Sequence, residues 1–146
     1  MATLTQTGAG TAGHMASNAV PKAYAQSTVI DGTSTALTSG DVYQAINVPA
    51  NSVVLSAGID VITAGTGTGT LALGDGTVTY VAAAVQTSAG QMTSGDALAE
   101  LAVTYAAADT LDVTVATADV NSKVRVWAVL IDIDGMGDTE SGDTYA

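Results

Sequence analysis

The chain has 146 residues, which is enough for one domain with a two-layer core. Fourteen acidic residues against three basic ones give a formal net charge of −11. This balance argues against binding to nucleic acid or to an anionic membrane, because both attract proteins through clustered Lys and Arg. Cysteine is absent, so disulfides and thiolate metal sites are excluded.

The residue composition favours an all-β fold. Of all residues 47% are hydrophobic but only 4% are aromatic, so the core must consist of Val, Ile, Leu and Ala. Sixteen glycines and many Thr and Ser are typical of strands and turns rather than helices. No apolar run reaches the roughly 18 residues of a membrane span, and the start of the chain has no signal-peptide pattern. The composition suits an exposed protein although no export signal is visible, and a particle that is assembled in the cytoplasm and released by lysis would fit both observations.

Residues 1–26 are predicted to form an extended N-terminal arm. They have no sustained hydrophobic period and are rich in Gly, Ala, Thr and Ser, so they lack the apolar surface for a core of their own. We expect a neighbouring subunit to hold this arm. His14, the only histidine, lies in it without a nearby nucleophile, so a Ser-His-Asp catalytic site is not expected.

Strand patterns follow the arm and are separated by turn residues. The longest predicted strand has apolar residues at period two on one face, and Gly58 in its middle indicates a bulge or bend. Its predicted inward residues are Val53, Leu55, Ala57, Ile59 and Val61. Asp75-Gly76 separates two strands with the residues that tight hairpins prefer. The predicted strands are 27–30, 41–48, 52–64, 68–74, 77–84, 97–105, 110–117 and 123–134.

These strands predict an antiparallel β-sandwich over residues 27–134, followed by an acidic C-terminal tail at 135–146. The segment 97–105 has some helical character, but Thr104 and Tyr105 favour a strand. Strand order is not encoded in such a pattern. The residues alone therefore leave open whether the sandwich is a jelly roll or another eight-stranded arrangement.

The last predicted strand is apolar on both faces, which is typical of a strand covered on both sides. Val124, Val126, Ala128 and Leu130 share one face, and Arg125, Trp127, Val129 and Ile131 share the other. One face belongs to the core. The other either contacts a partner through Arg125 and Trp127, residue types that are enriched at interfaces, or packs within the domain with the arginine stacked on the tryptophan.

Two loop motifs resemble ligand sites but lack essential residues. Asp132 and Asp134 fit a calcium loop, whereas Met136 stands at a ligand position and Asp143 stands where a bidentate Glu is needed. We interpret this segment as a solvated acidic tail. The repeat at 65–70 lacks the Lys and the helix of a phosphate loop and is interpreted as a flexible loop. We expect neither a metal nor a cofactor.

The stretch GDVYQAINVPANSVVLSAGIDVITAGTGTGTLALGDG, followed by YAAADTLDVTVATAD and KVRVWAVLIDID, resembles small β-rich virion proteins of tailed phages, and those of cyanophages most closely in style. The resemblance covers roughly residues 40–134. It implies a jelly-roll or related sandwich that sits on the capsid as a decoration or cement protein, often as a homotrimer. It also implies that the arm clasps a capsid subunit or a neighbouring copy, with Pro21 and Lys22 as anchors.

The function that follows is non-enzymatic: decoration and stabilisation of the outer capsid surface by binding across subunits of the major capsid protein and to further copies of itself. Two alternatives stay open. A receptor- or glycan-binding fibre or adhesin module would need exposed aromatic side chains. The candidates are Tyr24, Tyr43, Tyr80, Tyr105 and Trp127, and all of them except Tyr24 fall within predicted strands. A tail or filament subunit would be marked by strands donated between copies.

Overall fold

The computed structural model describes residues 22–90, 92–94 and 102–133, and in these ranges the chain forms nine strands and no helix. In chain order the strands are β1 (Lys22–Asp31), β2 (Val42–Val48), β3 (Ser52–Thr63), β4 (Thr70–Gly74), β5 (Thr79–Val85), β6 (Met92–Ser94), β7 (Val103–Tyr105), β8 (Asp109–Ala116) and β9 (Lys123–Asp132). This part of the chain accordingly contains no helix long and apolar enough to cross a membrane.

The strands form two antiparallel sheets. The first sheet has the order β1-β9-β3-β6, and β7 pairs with the same edge of β3 as β6 does. The second sheet has the order β2-β8-β4-β5. The predicted all-β antiparallel sandwich is therefore confirmed. Each of the eight predicted strands has a counterpart, and β6 is an additional short strand.

The core lies between the two sheets and draws apolar side chains from both. In β8, Leu111, Val113 and Val115 are buried while Thr114 is exposed, as the alternation predicts. In β9 every second residue is buried, and these residues are Val124, Val126, Ala128 and Leu130. Burying one such Val or Leu side chain contributes about 1.5–3 kcal/mol, so the paired inner faces hold the sandwich together.

The first half of β3 differs from the prediction. Val54 is buried, whereas Val53 and Leu55 are only half-buried. The pairing of β3 with β9 shifts register between Val54 and Ser56, and the extra residue at this bulge reverses which side chains point inward. The predicted inward placement of Val53 and Leu55 is therefore wrong. The register shifts lie at Leu55 and at Ile62 rather than at Gly58.

The first strand begins earlier than predicted. Residues 22–26, assigned to the arm, belong to β1 and pair with β9, with Lys22 opposite Asp132 and Gln26 opposite Ala128. Tyr24 packs against the core. The alternating apolar residues in 22–26 are Ala23 and Ala25. Alanine is only weakly hydrophobic, so this alternation did not predict a strand. The rest of the arm with Pro21, and the acidic tail at 135–146, lie outside the described residues.

The glycine-rich loop between β3 and β4 packs closely against the loop that precedes β9. A Cβ atom on Gly69 would lie 2.6 Å from the carbonyl oxygens of Ala118 and of Asp119. A Cβ atom on Gly65 would lie 2.7 Å from Oδ1 of Asn121. Because these two glycines have no side chain, the two loops can approach each other closely. The sequence pattern did not predict this role.

We expect Gly69→Ala to lower the free energy of unfolding by about 1–3 kcal/mol, because the added methyl group forces one of the two backbone segments to shift. Urea unfolding followed by circular dichroism measures this loss. Thr68→Ala is the matched control, since Thr68 is an exposed residue of the same loop and its truncation should change the stability by less than about 0.5 kcal/mol. Equal stability of the two variants would contradict the close packing at Gly69.

Candidate functional site

The candidate site is the outer face of the first sheet. Residues paired across an antiparallel ladder point to the same side of the sheet, so β9 and its neighbours β1 and β3 build this face together. We name it the Trp127 face and define it by Ala23, Ala25, Ser27, Val29, Val53, Ser56, Gly58, Asp60, Lys123, Arg125, Trp127, Val129 and Ile131. Of the residues described, none forms a layer over it.

Apolar side chains dominate the Trp127 face. Ile131, Val129 and Trp127 on β9 are half-buried, and Val29 on β1 is 49% exposed. The outer face of the second sheet carries more polar side chains, although Val42 on β2 and Val85 on β5 are exposed apolar residues there. Its paired residues are Val42 with Thr114 and Gln44 with Asp112. An exposed apolar face of this kind is a candidate surface for binding a partner.

Trp127 occupies the centre of the face. Its register partners are Ser27 on β1 and Gly58 on β3, so the indole has only small neighbours across the ladder. The indole Nε1 is buried, and no hydrogen-bond acceptor for it is found among the described residues. A buried indole N–H normally has a hydrogen-bond acceptor. The Trp127 N–H lacks one among the described residues.

Two ion pairs lie at one end of the Trp127 face. Arg125 Nη1 is 3.7 Å from Asp60 Oδ2, and Lys123 Nζ is 2.9 Å from Asp31 Oδ2. Hydrogen bonds from the Thr33 hydroxyl and from Lys123 lower the pKa of Asp31 to about 2. Two of the three basic residues of the chain are thus matched with aspartates here. The face is close to neutral on a chain with a net charge of −11, so it is a region where another acidic molecule meets little repulsion.

The structure brings together some of the predicted interface residues. Arg125 and Trp127 share the outer face of β9, as the alternation predicts. Lys22 starts β1 opposite Asp132, at the far end of the sheet from Arg125. Pro21 lies outside the described residues. Val29 and Gly58 were missed, because only strand register places them beside Arg125 and Trp127.

A second cluster of polar side chains is buried and structural. Tyr105 Oη on β7 donates a 2.5 Å hydrogen bond to Asp75 Oδ2 in the β4–β5 hairpin, and Tyr80 Oη on β5 lies 2.9 Å from Tyr105 Oη. Burial and the hydrogen bond to Asp75 raise the pKa of Tyr105. Tyr80 is 1% and Tyr105 is 7% exposed, so neither ring can serve as a platform for a ligand. The cluster links the two sheets.

The other aromatic and acidic residues form no evident ligand site. Tyr24 and Tyr43 are half-buried and pack against the core, and Tyr43 Oη donates to Asp41 Oδ2 at 3.3 Å. In the described ranges there is no group of three or more His, Cys, Asp or Glu side chains placed to hold a metal ion. The apolar Trp127 face therefore remains the feature that best fits a binding role.

Comparison with known proteins finds likeness in structure rather than in sequence. No protein-family model and no curated protein matches the chain. A chain in the acidic stable capsid structure of Helicobacter pylori bacteriophage KHP30 has a TM-score of 0.58 and 15% identity, over 77% of this chain and 90% of that one. A chain in the capsid of Ralstonia phage GP4 has a TM-score of 0.58 and 20% identity, over 76% of this chain and 84% of that one.

A third similar structure has a higher sequence identity. A chain in the capsid asymmetric unit of cyanophage Pam1 has a TM-score of 0.52 and 27% identity, over 76% of this chain and 84% of that one. The first two likenesses concern the fold alone. All three structures are of phage capsids.

Proposed function

We propose that the protein is a non-enzymatic structural protein of a phage virion, which decorates the capsid and stabilises it by binding across capsid subunits. The observation that carries this proposal is the nearly neutral Trp127 face of a strongly acidic sandwich, over which none of the described residues forms a layer. The likeness of the fold to chains of three phage capsids supports the virion part of the proposal. The decoration role rests on the sequence resemblance and on the face itself.

We also propose that the sandwich is a jelly roll. If β6 and β7 are counted as two halves of one interrupted strand, each sheet has four strands in the orders β1-β9-β3-β6/β7 and β2-β8-β4-β5. A double sheet of eight antiparallel strands in two interlocked Greek keys has this arrangement. The strand order, which the sequence could not specify, is the support for this assignment.

In the proposed mechanism the Trp127 face packs on the major capsid protein or on a neighbouring copy in a homotrimer. The half-buried residues around Trp127 would then lose their remaining contact with water, which is favourable by about 25 cal/mol per Å² of apolar surface. Because this surface is buried only in the assembled shell, binding stabilises the assembled state by mass action. The arm, now residues 1–21, would clasp a neighbour, and the acidic surface would keep the outer side of the virion soluble.

A tail or filament subunit is the second candidate, and one observation favours it. β1 is a ten-residue edge strand that pairs with β9 without a bulge, and a long regular edge can accept a strand donated by another chain. The receptor- or glycan-binding alternative has less support, because Tyr80 and Tyr105 are buried.

The proposal predicts saturable co-sedimentation of the purified protein with undecorated capsids of the phage that encodes it. Val29→Glu should weaken this binding at least about tenfold, the effect of about 1.4 kcal/mol, because the added charge must lose its water on binding while its cross-strand neighbour Arg125 is already paired with Asp60. Val42→Glu is the matched control, since Val42 is a similarly exposed valine on the outer face of the second sheet. A chain that lacks residues 1–21 tests the arm.

The outcomes separate the parts of the proposal. No binding by the intact protein would refute decoration and direct the search to tail or fibre partners. Binding that survives Val29→Glu but is lost without residues 1–21 would move the contact from the Trp127 face to the arm. Circular dichroism melting of each variant confirms that the fold is intact before binding is compared.

A further inference from the structure

The outer edge of β1 is a long, regular strand edge without the usual protection against pairing. β1 has ten residues, pairs with β9 without a bulge, and contains neither a proline nor a charged residue between Lys22 and Asp31. Proteins normally protect an exposed edge with charges, prolines, bulges or short strands. The other sheet edges in the described ranges have such features, because β2 and β5 pair irregularly with their neighbours and β6 and β7 have three residues each.

The register of β1 shows which of its backbone groups are free to pair. Gly32 N donates to the carbonyl oxygen of Ser122 at 2.9 Å, which continues the pairing of β1 with β9 by one residue. In an antiparallel ladder the hydrogen-bonded residues alternate with residues whose N–H and C=O groups point away from the partner strand. Counting back from Gly32 in steps of two gives the residues that bond to β9. The exposed residues between them direct their backbone groups to the open side of β1: Ala23, Ala25, Ser27 and Val29.

The side-chain pattern of β1 matches a second copy of the same strand. We propose that this edge pairs with the β1 edge of a second copy in antiparallel register, with Ser27 opposite Ser27 of that copy. A two-fold axis perpendicular to the sheet then keeps the inner and outer faces of both copies in line. On the outer face Val29, which is 49% exposed, lies opposite Ala25 of the second copy. On the inner face Ile30 lies opposite Tyr24, and both residues pack against the core of their own chain. Apolar cross-strand pairs of this kind stabilise a sheet.

The free backbone groups are satisfied in this register. Ser27 directs its own N–H and C=O groups outward, so the two Ser27 residues form a hydrogen-bonded pair and exchange two bonds. A slip of one residue would place the inner face of one copy beside the outer face of the other. A slip of two residues in either direction would put Ile30 opposite a polar or charged residue in place of Tyr24. The register centred on Ser27 is therefore the favourable one.

The contact also avoids the repulsion expected between two chains with a net charge of −11. Asp31, the one acidic residue of β1, is paired with Lys123 at 2.9 Å and lies opposite Ala23 in this register. The pairing joins the outer faces of two first sheets, so two Trp127 faces become one surface. A two-fold contact closes in pairs, so it can join one copy of the proposed homotrimer to a copy in the next trimer. The inference is independent of the proposed virion role.

The association state of the full chain tests the contact. Sedimentation equilibrium at concentrations up to about 1 mM, where even weak association is visible, should show reversible pairing of copies. Ser27→Pro removes an outward N–H donor from each copy and leaves the bonds to β9 in place, so it should weaken the pairing at least about tenfold. Ser27→Ala is the matched control, because it keeps the N–H group and should pair like the intact chain. A chain that stays monomeric, or equal pairing of the two variants, would overturn the proposal.

Cross-linking identifies the occupant of the edge. The chain has no cysteine, so Ser27→Cys introduces a single thiol. A short bismaleimide should join two Ser27→Cys chains, because residues paired in this way have Cα atoms about 5.5 Å apart. Thr114→Cys is the control, since Thr114 is exposed on the outer face of the second sheet and should give no such product. Association without the Ser27→Cys product would assign the edge to another occupant, such as residues 1–21 of a second copy, and would overturn the β1–β1 contact. Circular dichroism melting of each variant verifies the fold.

Discussion

Replacing Tyr105 with phenylalanine is expected to lower the free energy of unfolding by about 1.5–3 kcal/mol, the range for loss of a hydrogen bond to a charged group. The aromatic ring keeps its place in the core, so the loss reports on the hydroxyl alone. That hydroxyl donates to Asp75 Oδ2 and contacts Tyr80 Oη. Because Tyr80 is buried, its own hydroxyl would be left without this partner. Urea unfolding at neutral pH measures the change.

The pH dependence of this loss identifies its cause. Partial burial alone would raise the pKa of Asp75, but hydrogen bonds from the Tyr105 hydroxyl and from the backbone N–H groups of Val78 and Thr77 outweigh it and lower the pKa. A carboxyl group with a lowered pKa stabilises the fold above the ordinary range of Asp, about pH 4, and this contribution is lost as the pH falls through the lower folded-state pKa. The stability difference between the intact protein and Tyr105→Phe should therefore shrink in acid.

Tyr43→Phe is the control for this variant. The Tyr43 hydroxyl donates to the exposed Asp41 at 3.3 Å, so its removal should change the stability by less than about 0.5 kcal/mol. If Tyr105→Phe cost no more than Tyr43→Phe, the buried cluster would contribute no stability. A difference that stayed constant in acid would show that Asp75 is not the charged partner.

Local sequence chemistry was sufficient to predict some elements of the fold. The hairpin at Asp75-Gly76 formed as expected, because Asp75 Oδ1 accepts hydrogen bonds from Thr77 N and Val78 N while Gly76 adopts a φ of 87°. β8 and the inner face of β9 followed from strict period-two alternation. In each case the determining residues are adjacent in sequence, and a single physical rule relates them to structure.

Other elements depend on contacts between distant residues, and local patterns could not reveal them. The bulge at Leu55 is defined by the pairing of β3 with β9, which lies far along the chain. A slip of one residue exchanges the two faces of a strand, so the alternation in β3 alone was misleading. The candidate site shows the same limit. Trp127 and Arg125 were predicted from the two apolar faces of β9, but Val29 and Gly58 join them only through strand register.

Leu130 and Ile131 allow a test of which face of β9 is the core. Leu130 is fully buried between the sheets, and Ile131 is a half-buried residue of the Trp127 face. Leu130→Ala should lower the free energy of unfolding by about 2–5 kcal/mol, because it removes transfer energy and leaves a cavity in the core. Ile131→Ala should lower it by only about 1 kcal/mol, since much of that side chain is still in contact with water. Urea unfolding of both variants measures the two losses.

The comparison of these two variants also bears on the proposed binding role. Leu130 and Ile131 are adjacent in β9 and have similar side chains, so they differ mainly in how far each side chain is buried. If both substitutions cost several kcal/mol, the Trp127 face is already covered before a partner binds. If only Leu130→Ala is costly, the apolar outer face stays open until a partner binds. In that case Ile131→Ala should weaken capsid binding more than it weakens the fold.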